Sequence, residues 1–307
     1  MSTTLGLPKG GSRAFQCRGG RRERLRRKAR ERAGTTAPLV LPSARECFPL
    51  LRMTRSCFLA LLAVPAFFRP VAAAEPACDT RCYEMRVYYA AEGKLDALQA
   101  RFREHTLKLF EKHGMTNIGY WTPVENPERK LVYVLGFPDR AARDASFQAF
   151  VADPEWQAVA KKTEENGRLV DKIDSWFLQA VDFSPAIAPA VADPARVFEL
   201  RTYTASAGNR DRLLARFRDH TVALFTKHGM TNFAYWVPQS GQPGADDTLV
   251  YLLAHASREA AAASFQSFGQ DPAWKAAREA SEKQAGGSLT NEVKSEFLVP
   301  TDYSPTR

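Results

Sequence analysis

Apolar and polar positions alternate from residue 83 to residue 89. Tyr83, Met85, Val87 and Tyr89 fall on one face; Glu84, Arg86 and Tyr88 fall on the other. A period of two predicts a strand. Past Gly93 the period changes: Leu95, Leu98, Phe102, His105 and Leu109 follow the three–four spacing of one apolar helical stripe. Gly114, directly after His113, is a helix stop. Residues 117–122 predict a second strand closed by Pro123, residues 125–128 a turn, and residues 131–137 a third strand apolar enough to be covered on both faces. Residues 140–150 predict a helix anchored by Ala145, Phe147 and Phe150. Asp153 then serves as N-cap and Pro154 as first residue of another helix, which runs to about residue 166 with Trp156 packed at its start. Trp176, Phe177 and Leu178 mark a fourth strand within residues 173–183. The order is βαββαβ, the ferredoxin-like arrangement of an α+β fold.

The same program then runs again. Residues 84–123 and 199–238 align without a gap, and 24 of the 40 positions are identical, which makes this an internal duplication. Glu199, Arg201 and Tyr203 repeat the polar face, and Leu213, Phe217, His220 and Leu224 repeat the stripe. The turn before the third strand is three residues longer. Asp271-Pro-Ala-Trp274 then answers Asp153-Pro-Glu-Trp156, and Asp302-Tyr-Ser-Pro305 answers Asp182-Phe-Ser-Pro185. Two domains follow, residues 78–186 and 197–307. The Pro/Ala-rich stretch around residues 187–196 is expected to be a semi-rigid, exposed linker.

Tyr83-Glu-Met-Arg-Val-Tyr88, His105 with His113-Gly-Met115, Tyr120-Trp121 and Asp153-Pro-Glu-Trp156 all recur in order in the second half. On these blocks, residues 82–307 resemble the NIPSNAP family. The resemblance implies the dimeric α+β barrel superfamily, in which two ferredoxin-like units bring their sheets together around a cavity. With both units in one chain, the barrel would close intramolecularly. That superfamily includes cofactor-free mono-oxygenases and haem-dependent enzymes, and the fold does not choose among them.

Charge alters the picture less than its total suggests. The chain of 307 residues carries a formal +9, but residues 1–74 hold 15 Lys/Arg against 3 Asp/Glu. Residues 75–307 keep 28 and 31, a net of −3. A mildly acidic folded part with no block of like charge argues against nucleic-acid binding. Residues 53–74 read as a signal peptide: Arg55, then the apolar run from Cys57 to Phe68, then Ala72-Ala-Ala74 with cleavage after Ala74. That run is too short to span a bilayer, so no transmembrane anchor is expected after cleavage. The expected address is periplasmic or secreted. Residues 1–52, a basic disordered leader, read either as sequence upstream of the true start at Met53 or as an Arg-rich mitochondrial-type leader. Cys78 and Cys82 remain in the mature chain and are expected to form a local disulfide. Their C-x-x-x-C spacing fits neither a redox motif nor a zinc site, and no metal is expected.

The candidate chemistry is spread over both copies. If the helices cover the Met85/Val87 face, then Glu84, Arg86 and Tyr88, with Glu199, Arg201 and Tyr203, line the interface or the cavity. There they either satisfy one another as ion pairs or grip a ligand. Tyr120, Trp121, Tyr235 and Trp236 are core aromatics or ligand walls. His105 and His220, on the apolar stripe, read as hydrogen-bonded core residues, with a general base or haem ligand as the sharper alternative. His113 and His228 cap helix C-termini. The chain has no HExxH, nucleophile elbow, P-loop or dinucleotide fingerprint. The leading expectation is an exported module that binds a small hydrophobic or amphipathic molecule, without a cofactor. The alternatives are a cofactor-independent mono-oxygenase, a haem-dependent oxidoreductase and a structural homo-oligomer.

Overall fold

The computed structural model describes residues 79–307. The leader, the signal peptide and Cys78, and with it the expected Cys78–Cys82 disulfide, lie outside the described residues. The first repeat contains β1 (Cys82–Ala90), α1 (Leu95–Arg101), α2 (Leu107–Lys112), β2 (Thr116–Pro123), β3 (Lys130–Phe137), α3 (Arg140–Ala152), α4 (Pro154–Thr163) and β4 (Val170–Ala180). The second contains β5 (Val197–Ala205), α5 (Arg210–Arg216), α6 (Val222–Lys227), β6 (Thr231–Pro238), β7 (Thr248–His255), α7 (Arg258–Gln270), α8 (Pro272–Ala285) and β8 (Thr290–Pro300). Asp153 and Asp271 cap α4 and α8 through the backbone N–H groups of Glu155 and Ala273, with a proline next in line, as the sequence predicts.

The eight strands close into one antiparallel barrel in the order β1-β3-β2-β8-β5-β7-β6-β4. Each repeat supplies four adjacent strands. The seams are short: Trp121–Pro123 pairs with Leu298–Pro300, and Leu178–Ala180 pairs with Trp236–Pro238. The segment after each fourth strand crosses to the other repeat. The Ser304 hydroxyl accepts from Tyr120 N at 2.9 Å, and the Ser184 hydroxyl accepts from Tyr235 N at 3.0 Å. Arg103 forks onto Asp302, and Arg218 onto Asp182, each with contacts of about 2.7–3.2 Å. Those are the residues of the repeated Asp-x-Ser-Pro block.

The barrel interior holds Tyr83, Met85, Trp121, Val132, Val134, Leu178, Phe198, Trp236, Val250, Leu252 and Leu298, all buried. Two further cores fill the space between the sheets and the helices outside them, one for each repeat. Met85 and Val87 therefore face the other repeat, and the Glu84/Arg86/Tyr88 face lies under the helices. This inverts the expected facing. Either neighbour, helix layer or second sheet, would bury an apolar face, so alternation alone could not say which. Ile187, placed by the sequence in an exposed linker, is 1% exposed and joins the barrel core.

His105 and His220 also depart from expectation. Between α1 and α2 the helix makes a π-turn over Phe102–Thr106, and the second repeat does the same over Phe217–Thr221. The extra residue per turn shifts the register of the stripe. Thr106 and Thr221 become the buried positions, their hydroxyls donating to the carbonyls of Arg101 and Arg216 at 3.1 Å. Both histidines point outward and are exposed.

Candidate functional site

Inside the barrel, Trp121 and Trp236 are buried at the two seams. Trp121 meets Phe198 at a tilt with ring centres 5.4 Å apart, and Trp236 meets Tyr83 edge-on at 6.0 Å. The interior also holds a cavity of about 500 Å³. It lies where the first parts of β4 and β8 run past their seams, paired only with β1 and β5. Period-two geometry sets its lining. Met85 and Val87 of β1 and Leu200 of β5 supply apolar surface, and Trp176 of β4, 37% exposed, supplies an aromatic wall. Tyr89, Lys130, Asp174, Lys294 and Glu296 line its polar part.

These polar groups are paired. Lys130 Nζ reaches Glu128 at 2.8 Å and, across the two repeats, Glu296 at 3.2 Å. Burial alone would lower the Lys130 pKa, but the two carboxylates outweigh it and hold the ammonium above its ordinary value. Lys172 donates to Asp174 at 2.9 Å and Tyr89 OH donates to the same carboxylate at 3.0 Å. Together they hold Asp174 below the usual carboxylate range, Lys172 making the larger contribution. The cavity can thus take an apolar body against Met85, Val87 and Leu200 and a polar end among these charges. It is not symmetric. Aligning the repeats puts Lys294 at the position of Asp174 and Glu296 at the position of Trp176.

The sequence-nominated ligand residues sit elsewhere. Glu84 is fully buried under α3. Its carboxylate accepts from Arg86 at 2.5 Å, from Ser175 Oγ at 2.6 Å, and from Arg143 through Nε at 2.7 Å and Nη2 at 2.8 Å. Burial would raise its pKa; the hydrogen bonds from Arg143 and the charge of Arg86 overcome this and hold it low. Arg86 also donates to Tyr88 OH at 3.4 Å. Glu199, Arg201 and Tyr203 repeat the arrangement, with Arg201–Glu199 at 2.5 Å and Arg201–Tyr203 at 3.1 Å. Tyr120 and Tyr235 face the helices, stacked on Tyr133 and Tyr251 with ring centres 5.2 Å apart. Trp121 and Trp236 face inward but sit at the seams, outside the cavity lining. All ten nominated residues therefore lie outside the cavity lining, and so do His105 and His220, the nominated haem ligands.

His113 and His228 do close their helices, and each also meets the N-cap aspartate of the following pair. His113 Nε2 lies 2.7 Å from Asp153, and His228 Nε2 lies 2.7 Å from Asp271. Lys112 and Lys227 reach the same carboxylates at 2.8 and 2.7 Å. These contacts, the lysines foremost, push both aspartates well below the ordinary range. Among the described residues, no group of three His, Cys, Asp or Glu side chains is arranged to hold a metal ion. His255 escaped the sequence reading. It is 3% exposed, with Nε2 3.3 Å from Glu199 Oε2. The signal was present as a difference between copies, since His255 stands where the first repeat has Phe137.

The NIPSNAP family profile matches residues 83–185 and again residues 198–305. The chain belongs to the NIPSNAP family. Among solved structures, this NIPSNAP protein is similar to a NIPSNAP domain protein from Burkholderia xenovorans, at 24% identity over 34% of this chain and 98% of that one, TM-score 0.31. A NIPSNAP family protein from Agrobacterium tumefaciens matches at 22% identity over 34% and 98%, TM-score 0.32. A candidate monooxygenase from Lactobacillus acidophilus matches at 12% identity over 72% and 94%, TM-score 0.45. Among curated proteins, none matches.

Proposed function

We propose that this NIPSNAP-family protein is an exported binding module that takes a small amphipathic molecule in the cavity between its two repeats. The observation that carries the reading is the composition of that cavity, apolar on Met85, Val87, Leu200 and Trp176 and charged around Lys130, Asp174, Lys294 and Glu296. A space of about 500 Å³ falls within the ordinary size of small-molecule sites. The apolar run at residues 57–68 with Ala72-Ala-Ala74 behind it supports export. Among the described residues no helix is long and apolar enough to cross a membrane.

The test uses an amphipathic probe, 8-anilinonaphthalene-1-sulfonate, with Trp176 as energy donor. Saturable binding is expected, lost in Leu200→Trp, which fills the floor, and reduced in its energy transfer by Trp176→Phe. Probe binding that survives Leu200→Trp in a folded protein overturns the reading. Mass spectrometry of the protein purified without denaturation would then name any molecule it carries. Amino-terminal sequencing of the mature protein checks export; a start at Glu75 is expected.

A further inference from the structure

We infer that the second repeat carries a binding site for an alkylguanidinium group, on the outer face of its sheet and separate from the barrel cavity. The first repeat displays the filled form. The Arg143 guanidinium forks onto the Glu84 carboxylate, and its central carbon lies 4.1 Å from the ring centre of Phe147 and 4.8 Å from that of Phe177. Arg143 Nη1 also reaches Asp144 at 3.1 Å, so two carboxylates and two aromatic faces hold one planar cation. The second repeat keeps the buried carboxylate and both aromatic walls. Glu199 answers Glu84, Phe265 answers Phe147, Phe297 answers Phe177 and Ser295 answers Ser175. The cation is gone, the position of Arg143 being Ala261; Asp144 has become Ala262 and Phe137 has become His255.

An open pocket of about 670 Å³ lies beside this cluster, lined by Glu199, Arg201, Arg258, Glu259, Phe265 and Phe297 among others, with Ala261 buried next to its lining residue Ala262. Glu199 Oε1 accepts from Arg201 and from Ser295. Glu199 Oε2 is buried, with His255 Nε2 at 3.3 Å as its one close polar neighbour among the described residues and no arginine on it. Its counterpart on Glu84 takes Arg143 Nε. An acceptor desolvated in this way gains most from a donor that is itself charged.

His255 does not fill the vacancy. Its ring lies 6.1 Å from Phe265, as Phe137 lies 6.2 Å from Phe147, so it occupies the Phe137 position and not that of Arg143. Its Nε2, near Glu199 at 3.3 Å, lacks a hydrogen bond among the described residues. The neighbouring cations are no bar. Arg201 stands over Phe265 at 4.7 Å and Arg258 over Phe297 at 5.3 Å. In the first repeat Arg86 and Arg140 stand over the equivalent rings at 4.9 and 3.4 Å with Arg143 between them.

The full-length protein is titrated with methylguanidinium chloride while the His255 imidazole signals are followed by NMR. A saturable shift in the millimolar range is expected, absent with methylurea, which offers similar donors without the charge. Ala261→Arg supplies the guanidinium from within the chain and should abolish the shift. If Ala261→Arg does not fold, Phe265→Leu removes one aromatic wall and should weaken binding by about fivefold. No saturable shift up to about 50 mM overturns the inference. So does a shift that methylurea reproduces, or one unchanged in a folded Ala261→Arg or in Phe265→Leu. An N-acetylarginine amide arm separates two sources of the same chemistry. Binding about tenfold tighter than methylguanidinium assigns the site to an arginine of a polypeptide, and equal binding assigns it to a free small guanidinium.

Discussion

The two repeats answer one problem in two ways. Both bury a glutamate on the helix-facing side of the first strand, and both set an arginine two residues on against it. The first adds Arg143, and the Glu84 carboxylate carries hydrogen bonds on both oxygens. The second has Ala261 there and brings His255 in from the end of β7. Glu199 is left with the imidazole 3.3 Å from one oxygen in place of an arginine, and with a pocket beside it. The difference teaches that duplication preserves the scaffold more strictly than the closure of a polar cluster. A buried carboxylate needs compensation, but the compensation can come from another element or from outside the chain.

The largest expected effect that would break this comparison is Arg143→Ala. It leaves Glu84 buried with Arg86 as its one charged partner and should destabilise the protein by about 3 kcal/mol. Methylguanidinium at millimolar concentration should return part of that stability to the variant, since the emptied cage keeps Glu84, Asp144 and both aromatic rings. Denaturant unfolding with and without the additive measures both. A loss below about 0.5 kcal/mol would show that Arg143 is ornament to the cluster.

A smaller effect tests the inner faces. A methyl on Gly119 would run into the Trp121 indole, whereas the equivalent position in the second repeat is Ala234, buried and accommodated. Gly119→Ala should cost about 2 kcal/mol by overpacking. Ala234→Gly should cost about 1 kcal/mol, so thermal unfolding of the pair ranks them. Equal losses would mean the two tryptophans sit alike after all.

The smallest effect concerns acid. Asp153 and Asp271 have folded-state pKa values lowered chiefly by Lys112 and Lys227, with His113 and His228 next. A depressed carboxylate pKa contributes stability that is present above the unfolded value of about 4 and is lost as pH falls through the folded value. Asp153→Asn and Asp271→Asn should each flatten the fall of melting temperature below about pH 4, and by similar amounts, because both clusters are built alike. Unequal flattening would place a further difference between the copies.

Much of this was legible in the residues. Period two, period three-to-four, the Asp-Pro helix starts and the glycine stops placed the elements of both copies within a few positions. The recurring blocks placed the family. Legibility failed at three points, each for a stated reason. A regular helix would put His105 on the apolar stripe; the π-turn puts Thr106 there instead. Ile187 was assigned to a linker on composition, and the barrel interior took it. The Glu84/Arg86/Tyr88 face was aimed at the cavity. Its true partner, Arg143, lies 59 residues away, and spacing along one strand carries no information about it.

The amino-acid order by itself determined the elements, the doubling and which side chains share each strand face, because these depend on steric and hydrophobic patterns a few residues long. Which face looks inward was decided only when the two four-stranded halves of the barrel and the outer helices competed to cover the apolar stripes. The halves met across Met85 and Leu200, the helices took the acids, and a cavity and a vacated cage were left where the two copies no longer match.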